Sequence, residues 1–155
     1  MKASAASPRT AAAKKTSGIQ YAALPYRVSE GTVEILLITS RRTRRWIIPK
    51  GWPVDGLQPP ACAAREALEE AGISGEMEKR AIGHFRYFKH LRNGAGMSCK
   101  VDVFALKVTR ERNAWAEKND RERRWCTVAD AAAAVAEPEL RLMILKFGER
   151  MALPR

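Results

Sequence analysis

Three carboxylates stand at positions 66, 69 and 70 of this 155-residue chain, within Arg65-Glu66-Ala67-Leu68-Glu69-Glu70-Ala71-Gly72-Ile73. At i, i+3 and i+4 they share one face of a helix. Like charges so placed repel and weaken an isolated helix by about a few tenths of a kcal/mol. A hard divalent cation such as Mg²⁺ would compensate, because it takes oxygen ligands and is held by a few carboxylates together with substrate phosphates. On spacing alone the alternative is a solvated acidic face, eased by an Arg65–Glu69 pair at i,i+4. Either way a short helix must carry them. Pro59 and Pro60 suit its first turn, where missing N–H donors cost little, and Gly72 suits a left-handed C-terminal cap. At 100° per residue Ala64, Ala67, Leu68 and Ala71 make a narrow apolar stripe for packing on a sheet, with the glutamates opposite.

The sheet is legible on both sides of that helix. Residues Ile19 to Val28 and Thr32 to Thr39 read as strands joined by a turn at Ser29-Glu30-Gly31. In the second, Leu36 interrupts the alternation of Val33, Ile35 and Leu37, which predicts cover on both faces. Arg41, Arg42, Arg44 and Arg45 fill the loop before Trp46-Ile47-Ile48. They read as a solvated basic turn or, being close to Lys50-Gly51, as a phosphate-binding loop, since planar guanidinium groups suit phosphate oxygens. Further strands are expected over Ala81 to Leu91 and Ser98 to Thr109, with a turn at Asn93-Gly94. Most of Phe85, Tyr87, Phe88 and Phe104 should be core, while the interleaved Arg86, Lys89, His90, Arg92 and Lys100 are open to binding. Neither His84 nor His90 has an accompanying ligand pattern. A charged loop follows Thr109, then a strand over Arg123 to Val128, a helix over Val128 to Ala136, and a final helix opened by Pro138 with Leu140, Met143, Ile144 and Phe147 at helical spacing for the core.

Residues 1–17, rich in Ala, Ser, Lys and Thr, read as a disordered basic tail without the apolar core of a secretory signal, and 18–153 as one domain. No apolar run approaches a membrane-spanning length. Cys62, Cys99 and Cys126 are odd in number and scattered, which fits reduced thiols in the cytoplasm better than a disulfide framework. The net charge of +11 favours a polyanionic partner: nucleic acid, an acidic membrane surface or a phosphate-dense small molecule.

From Gly51 to Ile73 the chain resembles the Nudix box, the signature of the Nudix hydrolases: Gly, five residues, Glu, seven residues, Arg-Glu, a hydrophobe, any residue, Glu-Glu, any residue, Gly and a hydrophobe. Gly51, Arg65, Glu66, Glu69, Glu70, Gly72 and Ile73 fall at those positions, and Ala67 stands for the hydrophobe. Leu57 replaces the first Glu, with Asp55 two residues earlier. The order of strands and helices extends the likeness over nearly everything after the tail. The resemblance implies an α/β (α+β) fold, an α/β/α sandwich with a mixed β-sheet and the box as a loop–helix–loop.

It also implies a Mg²⁺-dependent hydrolase, with Mn²⁺ as a substitute, cleaving a diphosphate linkage. Glu66, Glu69, Glu70 and a backbone carbonyl at Gly51 would hold the metal, which lowers the pKa of an attacking water. Arg65 would orient the carboxylates; Lys50, Arg41, Arg42, Arg44 and Arg45 would hold the remaining phosphates. The proton acceptor is Glu66, Glu69 or one of Glu117, Asp120 and Glu122. Ser40 to Pro49 is most similar to the diphosphoinositol polyphosphate phosphohydrolases, and Pro49-Lys50-Gly51 to the dinucleoside polyphosphate hydrolases, so both substrates are expected candidates. Hydrolysis at the 5′ end of RNA and a weakly catalytic ligand-binding role are the alternatives.

Overall fold

The computed structural model describes residues 17–91 and 93–152. Apart from Ser17, which opens the first strand, the expected tail lies outside the described residues. The elements are β1 (Ser17–Ser29), β2 (Thr32–Thr39), β3 (Trp46–Ile47), β4 (Lys50–Gly51), α1 (Pro59–Glu66), a π-helical turn (Ala67–Ala71), β5 (Ile73–Met77), β6 (Gly83–His90), β7 (Gly96–Glu111), β8 (Arg123–Thr127), α2 (Val128–Ala134) and α3 (Pro138–Ala152). The strands form one mixed sheet with the path β3-β2-β1-β7-β5; β4 pairs with β1, β6 with β7 and β8 with β2. Only β1 and β7 run parallel among these pairings.

β1 changes neighbours along one edge. Tyr21 and Ala22 pair with β4, whereas Tyr26 to Ser29 pair with β2. Pro25 stands between these pairings, where its missing N–H removes no bond from either register. The gap opened by the change is where β4 brings Lys50 and Gly51 into the sheet.

Apolar residues cover both faces, as β2 foretold. Ile35 and Leu37 join Leu24, Val103, Ile144 and Phe147 under α2 and α3. Leu36 and Ile38 join Ala23, Phe104, Leu106, Ala63, Ala67 and Ala71 under α1. Alternate side chains along each strand thus enter opposite layers, which makes the three-layer sandwich. Thr127 caps α2 by accepting a hydrogen bond from the Asp130 N–H at 3.0 Å.

The box helix departs from the expected regular helix. After Glu66 it widens into a π turn that ends at Gly72, with φ 68°. A widened turn shifts the angular phase of every residue beyond it. The buried face therefore comprises Cys62, Ala63, Ala67, Glu70 and Ala71, while Leu68, expected inside, is exposed. Glu70 has rotated off the acidic face and into the protein. Of the aromatic residues on β6 and β7, Phe85 and Phe104 are core as expected, but Phe88 is 57% exposed and stands edge-on to His90.

Candidate active site

The sheet, the π turn and one loop converge on Glu66 and Glu70. Gly51 lies directly under Glu66: a Cβ built there would overlap the Glu66 carboxyl group. Glycine is required because the side chain occupies the space that any larger residue would fill. The neighbouring Lys50 N–H donates to Glu70 Oε1 at 3.3 Å, so β4 supplies both the floor and an orienting donor.

The Glu66 and Glu70 carboxyl groups, one turn apart, act on each other, and a hydrogen bond between them needs one to be protonated. Burial pushes the Glu70 carboxyl up to about 8, against the pull of Arg121; Glu66 raises it further by repulsion and by accepting its proton. Burial also raises Glu66, with Glu69 and Glu117 adding repulsion and the hydrogen bond from Glu70 opposing. A buried carboxyl group that holds a proton beside a half-buried one is poised to exchange that proton for a cation.

The loop between β7 and β8, with the first residue of β8, completes the site. Arg121, with a side chain only 9% exposed, contacts Glu117 at 2.8 Å and Glu70 at 3.5 Å, and donates to the Thr39 carbonyl at 3.1 Å. Glu70 holds its proton near neutrality despite that second contact, because burial outweighs the guanidinium. Arg121 is thus bound chiefly through Glu117. Trp115 donates from Nε1 to the Glu70 carbonyl at 3.2 Å and packs over Gly72, leaving no room for a Cβ. Arg123 stacks on that indole at 4.0 Å and donates to the Ala71 carbonyl at 2.7 Å. The Glu117 N–H bonds the Glu69 carbonyl at 3.1 Å. These donors satisfy carbonyls that the end of a helix leaves open, and they lock the π turn in place. Trp115 and Arg121 sit in a stretch that reads as an ordinary charged loop, and Arg123 opens β8.

The remaining expected residues divide. Glu69 does not join the pair: it turns to Arg65, 3.0 Å away and on the surface, so Arg65 orients Glu69 alone. Among the described residues, no three Asp, Glu, His or Cys side chains form a ready-made ligand cage. Lys50 requires a correction. Successive strand residues face opposite ways, so the Lys50 side chain leaves the Gly51 face, enters a small cleft with Phe85, Glu137 and Leu140, and lies 4.8 Å over the Tyr87 ring. Burial lowers its pKa, with Glu70 and Glu137 opposing. It therefore supports β4 from behind and presents no ammonium group to a phosphate beside Glu66.

Within the arginine loop, Arg44 is drawn back to the Asp120 carbonyl at 2.9 Å and to Glu122 at 3.2 Å, and Arg45 to Glu137 at 3.8 Å. Arg41 and Arg42 are exposed and carry no ion pair among the described residues. Of the three loop carboxylates, Glu117 is the one whose charge acts on Glu66; Glu122 is committed to Arg44. Asp55 and Leu57 are exposed in the turn before α1, and no hydrogen bond or ion pair joins Asp55 to the pair among the described residues.

The donor set suits a hard cation: two close carboxylates with a backbone strand beside them, and no soft sulfur or imidazole ligand. The NUDIX domain family model matches residues 20–147, a span that contains every one of these residues. The chain belongs to the NUDIX family. It is 35% identical over 102 residues to "Nudix hydrolase 12, mitochondrial" of Arabidopsis thaliana, covering 64% of this chain and 50% of that protein. It is 34% identical over 106 residues to "Diphosphoinositol polyphosphate phosphohydrolase 3-beta" of Bos taurus, covering 66% and 60%. The chain spans about half the length of the first of these relatives.

Two solved structures show the same NUDIX fold. A binary complex of the C. elegans Ap4A hydrolase superposes with a TM-score of 0.65 at 24% identity, over 87% of this chain and 98% of that one. The NUDIX domain of Shewanella oneidensis NrtR with ADP ribose gives 0.66 at 14% identity, over 90% and 92%. The mixed sheet between helical layers is therefore that of the family, as the resemblance implied. Among the described residues no helix is long and apolar enough to cross a membrane.

Proposed function

We propose that this NUDIX domain hydrolyses a diphosphate linkage in a phosphate-rich small molecule, a dinucleoside polyphosphate or a diphosphoinositol polyphosphate, with Mg²⁺ as cofactor and Mn²⁺ as a substitute. The observation that carries this reading is Glu66 pressed against Gly51, with no space for a Cβ there, beside the buried Glu70 carboxyl group. Glu66 and Glu70 would hold the cation, with the Gly51 carbonyl and, after a change of rotamer, Glu69. When bound, the cation supplies charge neutralisation for the phosphates and a more acidic water.

The protein's own contribution is positional. Gly51 sets the height of Glu66 above β4, the Lys50 N–H orients Glu70, and Trp115, Arg121 and Arg123 hold the π turn rigid. Glu117, held by Arg121 at 2.8 Å and acting by its charge on Glu66, would accept the proton. Arg41 and Arg42 carry no ion pair among the described residues and suit the outlying phosphates. Three buried, unpaired thiols fit a reducing compartment such as the cytoplasm.

The test is hydrolysis of a diadenosine polyphosphate, a diphosphoinositol polyphosphate and 5′-triphosphorylated RNA, with Mg²⁺ or Mn²⁺, by wild type and Glu66→Gln. Metal-dependent turnover that falls at least about a hundredfold in the variant supports the assignment. Folded wild-type protein with no turnover on any member would refute it and leave a ligand-binding role.

A further inference from the structure

On the face of the sheet opposite the box helix, a pocket of about 660 Å³ lies between α3 and the turn from β5 to β6. Because β1 takes one edge of β7, both β5 and β6 pair along the other, β5 with Leu106 to Glu111 and β6 with Gly96 to Val103. The chain between them is pinned at each end. The Glu78 N–H donates to the Ala105 carbonyl at 3.0 Å, and the Ile82 N–H to the Val103 carbonyl at 2.8 Å. The donors are further apart along the chain than the acceptors, so Lys79, Arg80 and Ala81 must arch out from the sheet.

Ile82, Met143 and Phe147 form the floor and belong to the core layer beneath α2 and α3. Gly83 lets Met143 lie close: a Cβ there would crowd its methyl group at 3.3 Å. Leu142, 58% exposed, continues the floor as an apolar wall. Polar ties close the two ends. Arg150 pairs with Glu78 and lies 5.0 Å over the Phe147 ring, while Glu139 Oε1 accepts the Arg86 backbone N–H at 2.7 Å. Between these ends, Arg80 from the arch and Lys146 from α3 are exposed and enter no ion pair among the described residues. Leaving His84 aside, the lining sets Arg80, Lys146 and Arg150 against Glu78 and Glu139, an excess of one positive charge.

We propose that this pocket binds a small organic anion with one charged group and an apolar body, such as a medium-chain carboxylate. The head lies between Arg80 and Lys146, and the body along Leu142, Met143 and Phe147. An excess of one charge suits one carboxylate, whereas a polyphosphate would set several charges against Glu78 and Glu139. An inorganic anion would leave the apolar floor in water. A neutral chain would leave the two cations unmatched. Pockets of several hundred Å³ with apolar walls and a few placed polar groups are what small ligands fill. The site does not depend on the Glu66–Glu70 pair, which stands on the other face.

The experiment titrates the ¹⁵N-labelled full chain, without Mg²⁺, with octanoate, 1-octanol and inorganic phosphate, and follows backbone amide shifts. Octanoate should move the amides of residues 78–84 and 139–150 with one-site behaviour and leave those around Trp52 and Glu66 in place. 1-Octanol and phosphate should each bind at least about tenfold more weakly, because each meets only half of the pocket. Arg80→Gln combined with Lys146→Gln should weaken octanoate at least about tenfold, and Leu142→Ser severalfold. All three side chains are exposed, so the variants should fold. Amides of 78–84 unmoved up to about 10 mM octanoate, shifts centred on Trp52, or an affinity untouched by the double variant would overturn the site. Phosphate binding as tightly as octanoate would also overturn it, leaving a contact for any anion.

Discussion

Gly51 and Glu66 occupy one another's space: the carboxyl group of Glu66 fills the position where a Cβ of residue 51 would stand. The contact joins a two-residue strand to the last residue of α1, and so fixes the distance between the sheet and the acidic turn. Gly51→Ala must displace Glu66. A shift of about 1 Å at a reacting centre can cost on the order of a hundredfold, and that loss is expected in kcat/KM with Mg²⁺. Circular dichroism should show the fold retained, and Glu66→Gln in the same background should add little further loss.

The raised carboxyl of Glu70 has a definite sign in pH dependence. Its ordinary value is 4.5 and the folded value about 8. Between these limits the metal-free folded state keeps a proton that the unfolded chain has released. Its contribution to stability is therefore fully present below about pH 4.5 and is lost as pH rises through 8. Thermal unfolding in EDTA should show Tm falling over that window, by more in wild type than in Glu70→Gln.

A cation must displace that same proton. Apparent Mg²⁺ affinity, measured by calorimetry, should rise with pH up to about 8 and level off above it, with proton release detectable in buffers of different ionisation heat. Chelation at pH 8.5 should lower Tm more than chelation at pH 6, where the proton already neutralises the pair.

Arg121 holds Glu117 and Glu70 from a position almost closed to water. Arg121→Met leaves the Glu117 carboxylate and the Thr39 carbonyl without their partner. Breaking one side of a buried pair is expected to cost about 3 kcal/mol, read from urea unfolding. Removal of the guanidinium also removes the attraction that opposes the rise at Glu70, so Mg²⁺ affinity at pH 7 should fall.

The arginine loop should divide functionally as it divides structurally. Arg41→Ala with Arg42→Ala should raise KM for a phosphate-rich substrate severalfold, with an effect that weakens at high salt. Arg44→Ala removes an exposed contact to Glu122 and should cost at most about 1 kcal/mol of stability. If Arg44→Ala moves KM as much as the Arg41 and Arg42 pair does, the division is wrong.

The family was determined by spacing alone, because the box combines features each enforced by local chemistry. Gly72 is required by a left-handed cap, Pro59 and Pro60 by a first turn, and Glu66, Glu69 and Glu70 by the charge they present. The two-faced burial of β2 was equally local, since strand alternation follows from the pleat. What the residue types could not disclose was the phase of the helix after Glu66. A π turn is stabilised by what packs around it, here Trp115 and Arg121 from a loop, and Arg123 from the start of β8, more than forty residues away. That turn decides that Glu70 is buried and joins Glu66, whereas Glu69 faces Arg65. The direction of Lys50 was also a tertiary matter: the pairing of β4 with β1 sends it behind the sheet while Gly51 faces the site. Ile19, Arg86 and Lys100, far apart in the chain, share a row only because β1 and β6 flank β7 in one register. Sequence thus supplied the chemical groups, and the sheet register and the distant loop decided which of them face one another.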